Sequence, residues 1–270
     1  MDKVWDSFGM ERNPFSNATC GSDIPFQSRD FKQALACMKL TVNSMGIGCI
    51  FGDTGKGVSY AAYRYTQELQ SSSNTVKYVK VFHVSPRDFY KETCRTLGLP
   101  LLEKSRQSMI TAIRSCAVQL KNQGHPLVLV LDNAQNIPEL ALCDLPGMIS
   151  DDFDIAPHMT LLLCGTKDLK HRMYSSCDPF WEQELVSHFT FSGLTKEETA
   201  AYIEHRIKTA GGNPELVSDE AKDALYSLAR DGCCKDINNI LREAFAIACL
   251  NKRPVVDLTI LTAAAEHRKL

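Results

Sequence analysis

Residues 46–65 read GIGCIFGDTGKGVSYAAYRY and contain three successive patterns. The first, at residues 47–51, is a short apolar run bounded by glycine, which predicts a buried strand. A glycine-rich loop at residues 52–59 follows, and the remaining residues are typical of a helix. A loop between a strand and a helix N-terminus binds anions well, because its amides point inward and the helix dipole favours negative charge. The segment therefore predicts a phosphate-binding loop, with a glycine-rich turn that binds no ligand as the alternative.

Two registers of the phosphate-loop pattern, GxxxxGK followed by Ser or Thr, are open in this loop. In the first register Gly52, Gly57 and Ser59 match, and Val58 stands at the lysine position. The second register uses the Gly-Lys pair at residues 55–56 but loses the first glycine and the hydroxyl. We prefer the first register because it needs only one change. The predicted cofactor-binding residues of the loop are Gly52, Asp53, Thr54, Gly55, Lys56, Gly57, Val58 and Ser59.

A second polar element follows the run Leu127–Leu131, which contains no polar residue and is typical of a parallel sheet covered on both faces. In phosphoryl-transfer domains an Asp at this place holds magnesium, and a Glu after it polarises the attacking water. Here Asp132 is present, but Asn133 replaces the glutamate, and an amide cannot act as a general base. If a nucleotide binds, we expect ATP and Mg²⁺ as cofactors, with Ser59 and Asp132 as the metal ligands.

Further apolar runs predict strands at residues 76–84 and 159–164, and helical segments separate the four strands. This alternation predicts an α/β domain with a parallel sheet, flanking helices and right-handed crossovers. After Leu194 there is no strand run, and Thr195 and Glu198 have capping-box spacing at the start of a helix. The predicted helices are 59–70, 86–97, 105–122, 138–149, 196–210, 218–230, 235–250 and 257–267.

These patterns predict three parts of the chain. Residues 1–27 form an irregular N-terminal segment, residues 28–194 form the α/β domain, and residues 195–270 form a small all-helical subdomain. The vicinal pair Cys233-Cys234 is interpreted as two small residues at a helix start, with a redox element as the alternative.

The composition excludes several classes of protein. The chain has 270 residues, 30 Lys and Arg against 32 Asp and Glu, and a net charge of −2, so it is not strongly basic as a whole. No apolar run reaches the roughly 18 residues that a membrane helix needs. The beginning of the chain lacks the pattern of a signal peptide. The 11 cysteines form no CxxC pair, which excludes zinc-finger and thioredoxin-type spacing. Their odd number, in a chain without a secretion signal, predicts the reducing cytoplasm.

The charges are unevenly distributed within this balanced total. Residues 87–121 contain seven basic and three acidic residues, whereas residues 126–157 contain six acidic residues and no basic one. A basic segment neutralises DNA phosphates when several copies repeat along a duplex. A solvated helix face is the alternative. The predicted DNA contacts are Arg87, Lys91, Lys104, Arg106, Arg114 and Lys121.

Several motifs of the chain together resemble the ExeA/TniB/TnsC-like AAA+ ATPases, which include transposition helpers such as MuB. The N-terminal Asn-Pro-Phe segment and the Lys-Asp-Ile-Asn-Asn helix are the more specific motifs. The resemblance spans essentially the whole chain and implies an AAA+ domain with a helical lid, an N-terminal segment that packs on the nucleotide site, and a basic insertion that contacts the DNA backbone. The motifs are residues 8–16, 26–31, 47–64, 131–135, 163–166, 191–194 and 232–239.

The sequence departs from this family at four catalytic positions. Val58 replaces the loop lysine, and Asn133 replaces the glutamate. Acids, Glu182 and Glu184, stand where arginines are expected to reach a neighbour's phosphate, and Lys235 stands where the lid arginine is expected. Thr166 keeps the polar role after the fourth strand. An arginine finger alone contributes roughly 10³–10⁵ in rate, so the four changes together predict little or no hydrolysis.

The sequence is compatible with three functions. The first is a DNA-binding assembly factor of a mobile element, which self-assembles into a ring or filament on duplex DNA and hands a target to a transposase. The second is a pseudo-ATPase adaptor that binds protein partners, such as an active AAA+ sibling, and neither ATP nor DNA. The third is an active ATPase that uses Lys56. None of the three needs a membrane.

Overall fold

The computed structural model describes residues 2–16, 24–100, 105–149, 157–176, 181 and 184–267. The chain divides into two compact units. The first, called the helical unit, comprises residues 1–30, 55–57 and 192–270, and the second, called the sheet unit, comprises residues 31–54 and 58–191.

The sheet unit contains five parallel strands, namely β1 Gly46–Gly52, β2 Thr75–Lys80, β3 Leu127–Asp132, β4 Met159–Gly165 and β5 Leu185–Phe191. Their order in the sheet is β2-β3-β4-β1-β5. The predicted parallel α/β architecture is therefore confirmed. In register, Asp132 pairs with Lys80 on one side and with Cys164 on the other, so the last residue of β3 lies at the carboxyl edge of the sheet.

Two strand predictions need correction. β2 ends at Lys80, so the strand predicted to run to residue 84 is too long, and the remaining residues lead into the next helix. β5 does not follow the pattern of the three inner strands. Its sequence, LVSHFTF, mixes polar and apolar residues because it is an edge strand that is mostly half-buried. A search for continuous apolar runs therefore misses this strand.

Some of the helices flank the sheet, and the others form the helical unit. They are α1 Asp2–Asp6, α2 Arg29–Ser44, α3 Val58–Leu69, α4 Pro86–Leu97, α5 Arg106–Asn122, α6 Glu139–Asp144, α7 Pro146–Ile149, α8 Lys167–Ser176, α9 Lys196–Thr209, α10 Asp219–Leu228, α11 Cys234–Leu250 and α12 Leu258–His267. The single helix predicted at 138–149 is divided in two. Pro146 has no N–H to donate into a preceding turn, and it becomes the first residue of a new helix.

Apolar side chains project from the inner strands on both faces of the sheet. Leu129 and Leu131 belong to one buried cluster, and Val128 and Val130 belong to another. Alternate residues of a strand point to opposite faces, so β3 must be apolar throughout to contribute to both clusters. Helices α4 to α8 supply the first cluster, and α2 and α3 supply the second.

The helical unit has its own core, to which α9 to α12 contribute. Trp5 and Phe15 from the N-terminal part of the chain pack against Phe245 of α11, with ring centroids 5.5 and 5.8 Å away. Thr195 and Glu198 form the predicted capping box at the start of α9. The aromatic contacts join the N-terminal and C-terminal parts of the chain in one compact unit. The predicted C-terminal helices are confirmed.

Two further predictions concern cysteines and membranes. No two cysteines of the described residues form a disulfide bond with each other. Cys233 and Cys234 stand at the N-cap and first residue of α11, as the helix-start interpretation predicted. Of the helices in the described ranges, none is long and apolar enough to cross a bilayer.

Candidate functional site

The glycine-rich loop joins β1 to α3 at the carboxyl edge of the sheet. Gly52 is the last residue of β1, and Val58 is the first residue of α3. A Cβ atom on Gly52 would lie 2.7 Å from Cγ2 of Val58 and 2.8 Å from Cβ of Phe191, so this position has no room for a side chain. Gly57 has φ +114°, a conformation that other residues rarely adopt. The loop therefore needs its glycines for both packing and backbone geometry.

Asp132 is the centre of a polar cluster in the sheet unit. The hydroxyl of Ser59 donates to its Oδ1 at 2.8 Å, and the hydroxyl of Tyr78 donates to its Oδ2 at 2.6 Å. Asp132 is only 2% exposed. No Lys, Arg or His side chain among the described residues forms an ion pair with its carboxylate. A buried carboxylate that has hydroxyl donors but no cation is suited to receive a metal ion.

Tyr78 is a site residue that the sequence interpretation missed. It lies on β2 and pairs in register with Val130, two positions before the Lys80–Asp132 pair. Burial, together with the hydrogen bond to Asp132, raises the pKa of this phenol well above its ordinary value. The signal that would have found it is the order of the strands, because β2 is the neighbour of β3 and alternate residues of β2 face the same side.

Asn133 and the turn after it have a defined geometry. Asn133 has φ +56°, in the left-handed region, and precedes a 3₁₀ helix at Ala134–Asn136. The backbone N–H of Thr166 donates to Oε1 of Gln135 at 3.1 Å. Arg172 donates to the carbonyl oxygens of Gln135 and Ile137 at 2.6 and 2.7 Å. The amide at position 133 therefore stands on a turn that Thr166 and Arg172, both in the segment that follows β4, hold in place.

Two lysine side chains near the loop, those of Lys167 and Lys56, are engaged with protein groups. In the sheet unit, Lys167 pairs with Asp53 at 3.0 Å, and both side chains are about half exposed. In the helical unit, Nζ of Lys56 donates to the carbonyl oxygen of Ser192 at 2.7 Å. The backbone N–H of Lys235 donates to the carbonyl oxygen of Gly55 at 3.1 Å. Val58, at the predicted lysine position, is apolar and 8% exposed.

The remaining predicted positions are Thr54, Glu184 and Glu182. Thr54 is exposed in the loop, and Glu184 is half-buried directly before β5. Glu182 lies outside the described residues.

The six predicted DNA contacts differ in their exposure and in their partners. Arg87 and Lys91 are exposed on α4, one helical turn apart. Two others have structural partners, because Arg106 pairs with Asp144 at 3.2 Å and Nζ of Lys121 donates to the carbonyl oxygen of Pro157 at 3.0 Å. Arg114 is half-buried on α5, and Lys104 lies outside the described residues. The basic segment is therefore not one continuous face of equally available side chains.

The metal chemistry of the chain is limited. Within the described ranges, no group of three or more His, Cys, Asp or Glu residues is placed to hold a metal ion. A site built from Ser59 and Asp132 does not need such a group, because Mg²⁺ commonly binds through one or two carboxylates together with substrate phosphates. The donor set at Asp132 therefore fits magnesium with a phosphate ligand better than a metal held by protein alone.

In the helical unit, two of the motifs quoted above are joined by one carboxylate. Oδ2 of Asp30 accepts hydrogen bonds from the backbone N–H groups of Ser192 and Gly193, at 2.6 and 3.0 Å. Asp30 is 2% exposed, so these bonds supply the partners that a buried carboxylate requires. The motif at residues 26–31 therefore has a structural role in fixing the motif at residues 191–194.

Comparison with known proteins identifies the fold. Residues 42–173 match the sequence family described as AAA domain. The Cdc6p structure of Pyrobaculum aerophilum is 17% identical, with a TM-score of 0.70 over 95% of this chain and 68% of that one. The ORC1 structure of Aeropyrum pernix, in complex with DNA, is 16% identical, with a TM-score of 0.62 over 90% and 66%.

A RuvB variant of Thermotoga maritima is also similar in structure, at 13% identity and a TM-score of 0.56 over 88% of this chain and 67% of that one. A search of curated proteins finds no match. At these identities the structural likeness concerns the fold alone. The five-stranded order β2-β3-β4-β1-β5, the glycine-rich loop after β1 and the C-terminal helices are together the α/β P-loop fold of AAA domains.

Proposed function

We propose that this chain binds a magnesium–nucleoside triphosphate complex and hydrolyses it at or near the background rate. The observation that carries the proposal is the Ser59–Asp132 hydrogen bond of 2.8 Å between the helix that follows the glycine-rich loop and the end of β3. It brings together a hydroxyl and a buried carboxylate that has no cation partner among the described residues.

The loop and the start of α3 would hold the phosphates. Backbone amides of residues 52–59 and the N-terminus of a 12-residue helix favour an anion, and Ser59 and Asp132 would hold the metal. A Mg²⁺ ion held there would help to neutralise the charge of the phosphates. With Val58 in place of the lysine, the chain's own contribution to phosphate binding comes mainly from backbone groups.

Weak hydrolysis follows from the same residues. Val58 brings no charge to the phosphates, and Asn133 has no carboxylate to polarise a water molecule. Lys56 is the remaining loop cation, and its ammonium donates to the carbonyl oxygen of Ser192. These features support a protein that uses nucleotide binding as a signal.

We further propose that the nucleotide-bound chain assembles on duplex DNA as a cytoplasmic factor of the transposition-helper type. The resemblance to the ExeA/TniB/TnsC-like proteins supports this, and so does the exposure of Arg87 and Lys91 on α4. Two cations in each subunit give substantial salt-dependent affinity when many subunits repeat along the duplex. A transposase or an active AAA+ sibling is the expected protein partner.

Nucleotide binding is tested by calorimetry with ATP, with and without Mg²⁺, alongside a phosphate-release assay. We expect Mg²⁺-dependent binding and turnover at background. Ser59→Ala should remove the Mg²⁺ dependence. Ser175→Ala is the matched control, because that hydroxyl donates only to a carbonyl of its own helix, His171 at 2.7 Å, and should leave binding unchanged. Turnover that Lys56→Ala abolishes would favour the active-ATPase alternative.

DNA binding is tested by fluorescence anisotropy with duplexes of unrelated sequence at several salt concentrations. Charge reversal of Arg87 and Lys91 should weaken binding to every duplex and flatten the salt dependence, because phosphate contacts do not read bases. Charge reversal of Lys170, which is exposed on α8, serves as the control. If the unmodified chain binds neither nucleotide nor DNA, the protein-adaptor alternative holds.

A further inference from the structure

We propose that the hydroxyl of Tyr78 is a latch that holds the Asp132 carboxylate in the metal-free protein and that magnesium has to displace. The inference rests on the proposed function, because it assigns a regulatory residue to the same metal site. The latch would set the magnesium concentration at which the chain responds to nucleotide.

The geometry gives each carboxylate oxygen one hydroxyl donor. Ser59 donates to Oδ1 at 2.8 Å and Tyr78 donates to Oδ2 at 2.6 Å. Because Asp132 is 2% exposed, water has little access to replace either donor. Hydrogen bonds to an ionised carboxylate are stronger than those between neutral groups, so both contribute to the stability of the metal-free arrangement.

The two donors differ in what they leave for a metal ion. A serine hydroxyl that donates its proton still has lone pairs, so Ser59 can serve the carboxylate and a cation together. Tyr78 lies on a neighbouring strand, and its proton satisfies Oδ2 without bringing a positive charge. It reduces the negative potential that would otherwise attract a cation to this carboxylate.

The direction of the effect follows from thermodynamic linkage. A hydrogen bond that stabilises only the metal-free state weakens metal binding by the same free energy. Removal of the Tyr78 hydroxyl should therefore destabilise the metal-free protein and at the same time tighten its binding of magnesium. A hydroxyl that merely positioned Asp132 for the metal would have the opposite effect on binding.

A second tyrosine of the sheet unit provides a matched control. Tyr90 donates to Oδ2 of Asp144 at 2.6 Å, the same bond at the same length as that of Tyr78. Asp144 also forms an ion pair with Arg106, at 3.2 Å, and does not belong to the polar cluster around Asp132. Tyr90→Phe therefore removes the same chemical group from a partly buried carboxylate contact without touching Asp132.

The test measures the thermal stability of the unmodified protein, Tyr78→Phe and Tyr90→Phe as MgCl₂ is titrated, with and without a non-hydrolysable ATP analogue. Both variants should be less stable without magnesium. Tyr78→Phe should need about tenfold less Mg²⁺ for half of its stabilisation, the ratio expected for loss of one hydrogen bond to a charged group. Tyr90→Phe should keep the midpoint of the unmodified protein.

An unchanged or higher Mg²⁺ midpoint in Tyr78→Phe would overturn the latch, even where the unmodified protein binds Mg²⁺ and nucleotide as proposed. Absence of any Mg²⁺ response in all three proteins would overturn both the latch and the proposed metal site. A measurement on the unmodified protein guards against a variant that fails to fold. Magnesium should change the tyrosine ultraviolet absorption as the hydroxyl leaves the carboxylate, and Tyr90→Phe should retain that change. No spectral change would also contradict the latch.

Discussion

Two tyrosine–carboxylate pairs in the sheet unit share one geometry and differ in the third partner. Tyr78 donates to Asp132 and Tyr90 donates to Asp144, in each case to Oδ2 at 2.6 Å. The other oxygen of Asp144 accepts from the guanidinium of Arg106, whereas the other oxygen of Asp132 accepts from the hydroxyl of Ser59. One carboxylate has its counter-charge within the protein, and the donors to the other, as far as the described residues go, are neutral hydroxyls.

This difference separates a structural carboxylate from one that is suited to a ligand. Asp144 is the last residue of α6, and its ion pair with Arg106 joins α6 to the start of α5. Asp132 is the last residue of β3, and it is more completely buried yet has no cation partner among the described residues. Burial of an unpaired charge is costly, so such an arrangement persists where binding a cation offsets the cost.

The largest expected effect compares the amide substitutions of the two carboxylates. Asp144→Asn removes the charge that Arg106 pairs with, and we expect the free energy of unfolding to fall by about 2 kcal/mol, a value that allows for the partial exposure of Arg106. Asp132→Asn removes an unpaired buried charge, so the metal-free protein should change by less than about 1 kcal/mol. Urea denaturation without magnesium measures both.

Addition of magnesium should reverse this ranking of the two variants. The unmodified protein and Asp144→Asn should both gain stability from Mg²⁺ with ATP, and Asp132→Asn should gain none. Equal losses in the metal-free state would mean that the two carboxylates have equivalent surroundings, against the distinction drawn from their partners.

The second-largest effect is expected at Val58, which stands at the lysine position of the glycine-rich loop. Val58→Lys replaces an apolar side chain that is 8% exposed, and we expect the free energy of unfolding to fall by about 1 kcal/mol. ATP should bind about tenfold more tightly, because charge-assisted hydrogen bonds to phosphate become available. Calorimetry measures the affinity, and Val58→Met, which is also unbranched but uncharged, is the control.

Turnover by Val58→Lys should stay at background, because Asn133 still provides no carboxylate. If Val58→Met tightened ATP binding as much as Val58→Lys, then side-chain shape would account for the gain and the missing charge would not.

Much of the sheet unit could be predicted because its inner strands are continuous apolar runs. The same reasoning placed Gly52–Ser59 and Asp132 correctly at strand ends, where polar residues follow such runs. It could not find Tyr78, because that contact depends on which strand lies beside β3, and strand order is a property of the folded chain. It also could not find the ion pair of Arg106 with Asp144, because the two residues belong to different helices that only the fold brings together.

A third prediction concerns high pH, where the two tyrosines should behave alike. Burial and a carboxylate partner raise the pKa of both Tyr78 and Tyr90, and burial raises the pKa of Tyr65 to about 12. An unfolded tyrosine titrates near about pH 10. The folded state therefore holds these protons more tightly, so the stabilisation is complete below about pH 10 and is lost as pH rises through the folded-state pKa values.

Urea denaturation at a series of pH values above neutrality tests this. Tyr78→Phe and Tyr90→Phe should each lose stability less steeply above about pH 10 than the unmodified protein does. If the free energy of unfolding falls with pH at similar slopes in the two variants, the two tyrosine–carboxylate pairs differ in their response to metal and not in their hydrogen bonds. A slope unchanged in only one variant would show that its hydroxyl is not held by the carboxylate.

The smallest expected effect concerns Asn133, the residue next to the unpaired carboxylate. Its φ of +56° lies in the left-handed region, which asparagine and aspartate adopt more readily than glutamate does. Asn133→Glu should therefore lower the free energy of unfolding by about 1 kcal/mol, measured by urea denaturation without magnesium. It also adds a second negative charge beside Asp132.

Asn133→Asp and Asn133→Gly separate the backbone contribution from the charge. Aspartate adds the same charge as glutamate but tolerates the left-handed conformation, and glycine relieves the conformation without adding charge. If the backbone dominates, Asn133→Asp should be clearly more stable than Asn133→Glu, and Asn133→Gly should be close to the unmodified protein. Equal losses for the two acids, with none for glycine, would instead indicate repulsion from Asp132. In that case Mg²⁺ with ATP should restore both acidic variants, because a cation bound at Asp132 compensates the added charge. Under the backbone account the difference between the two acids should persist when the cation is present.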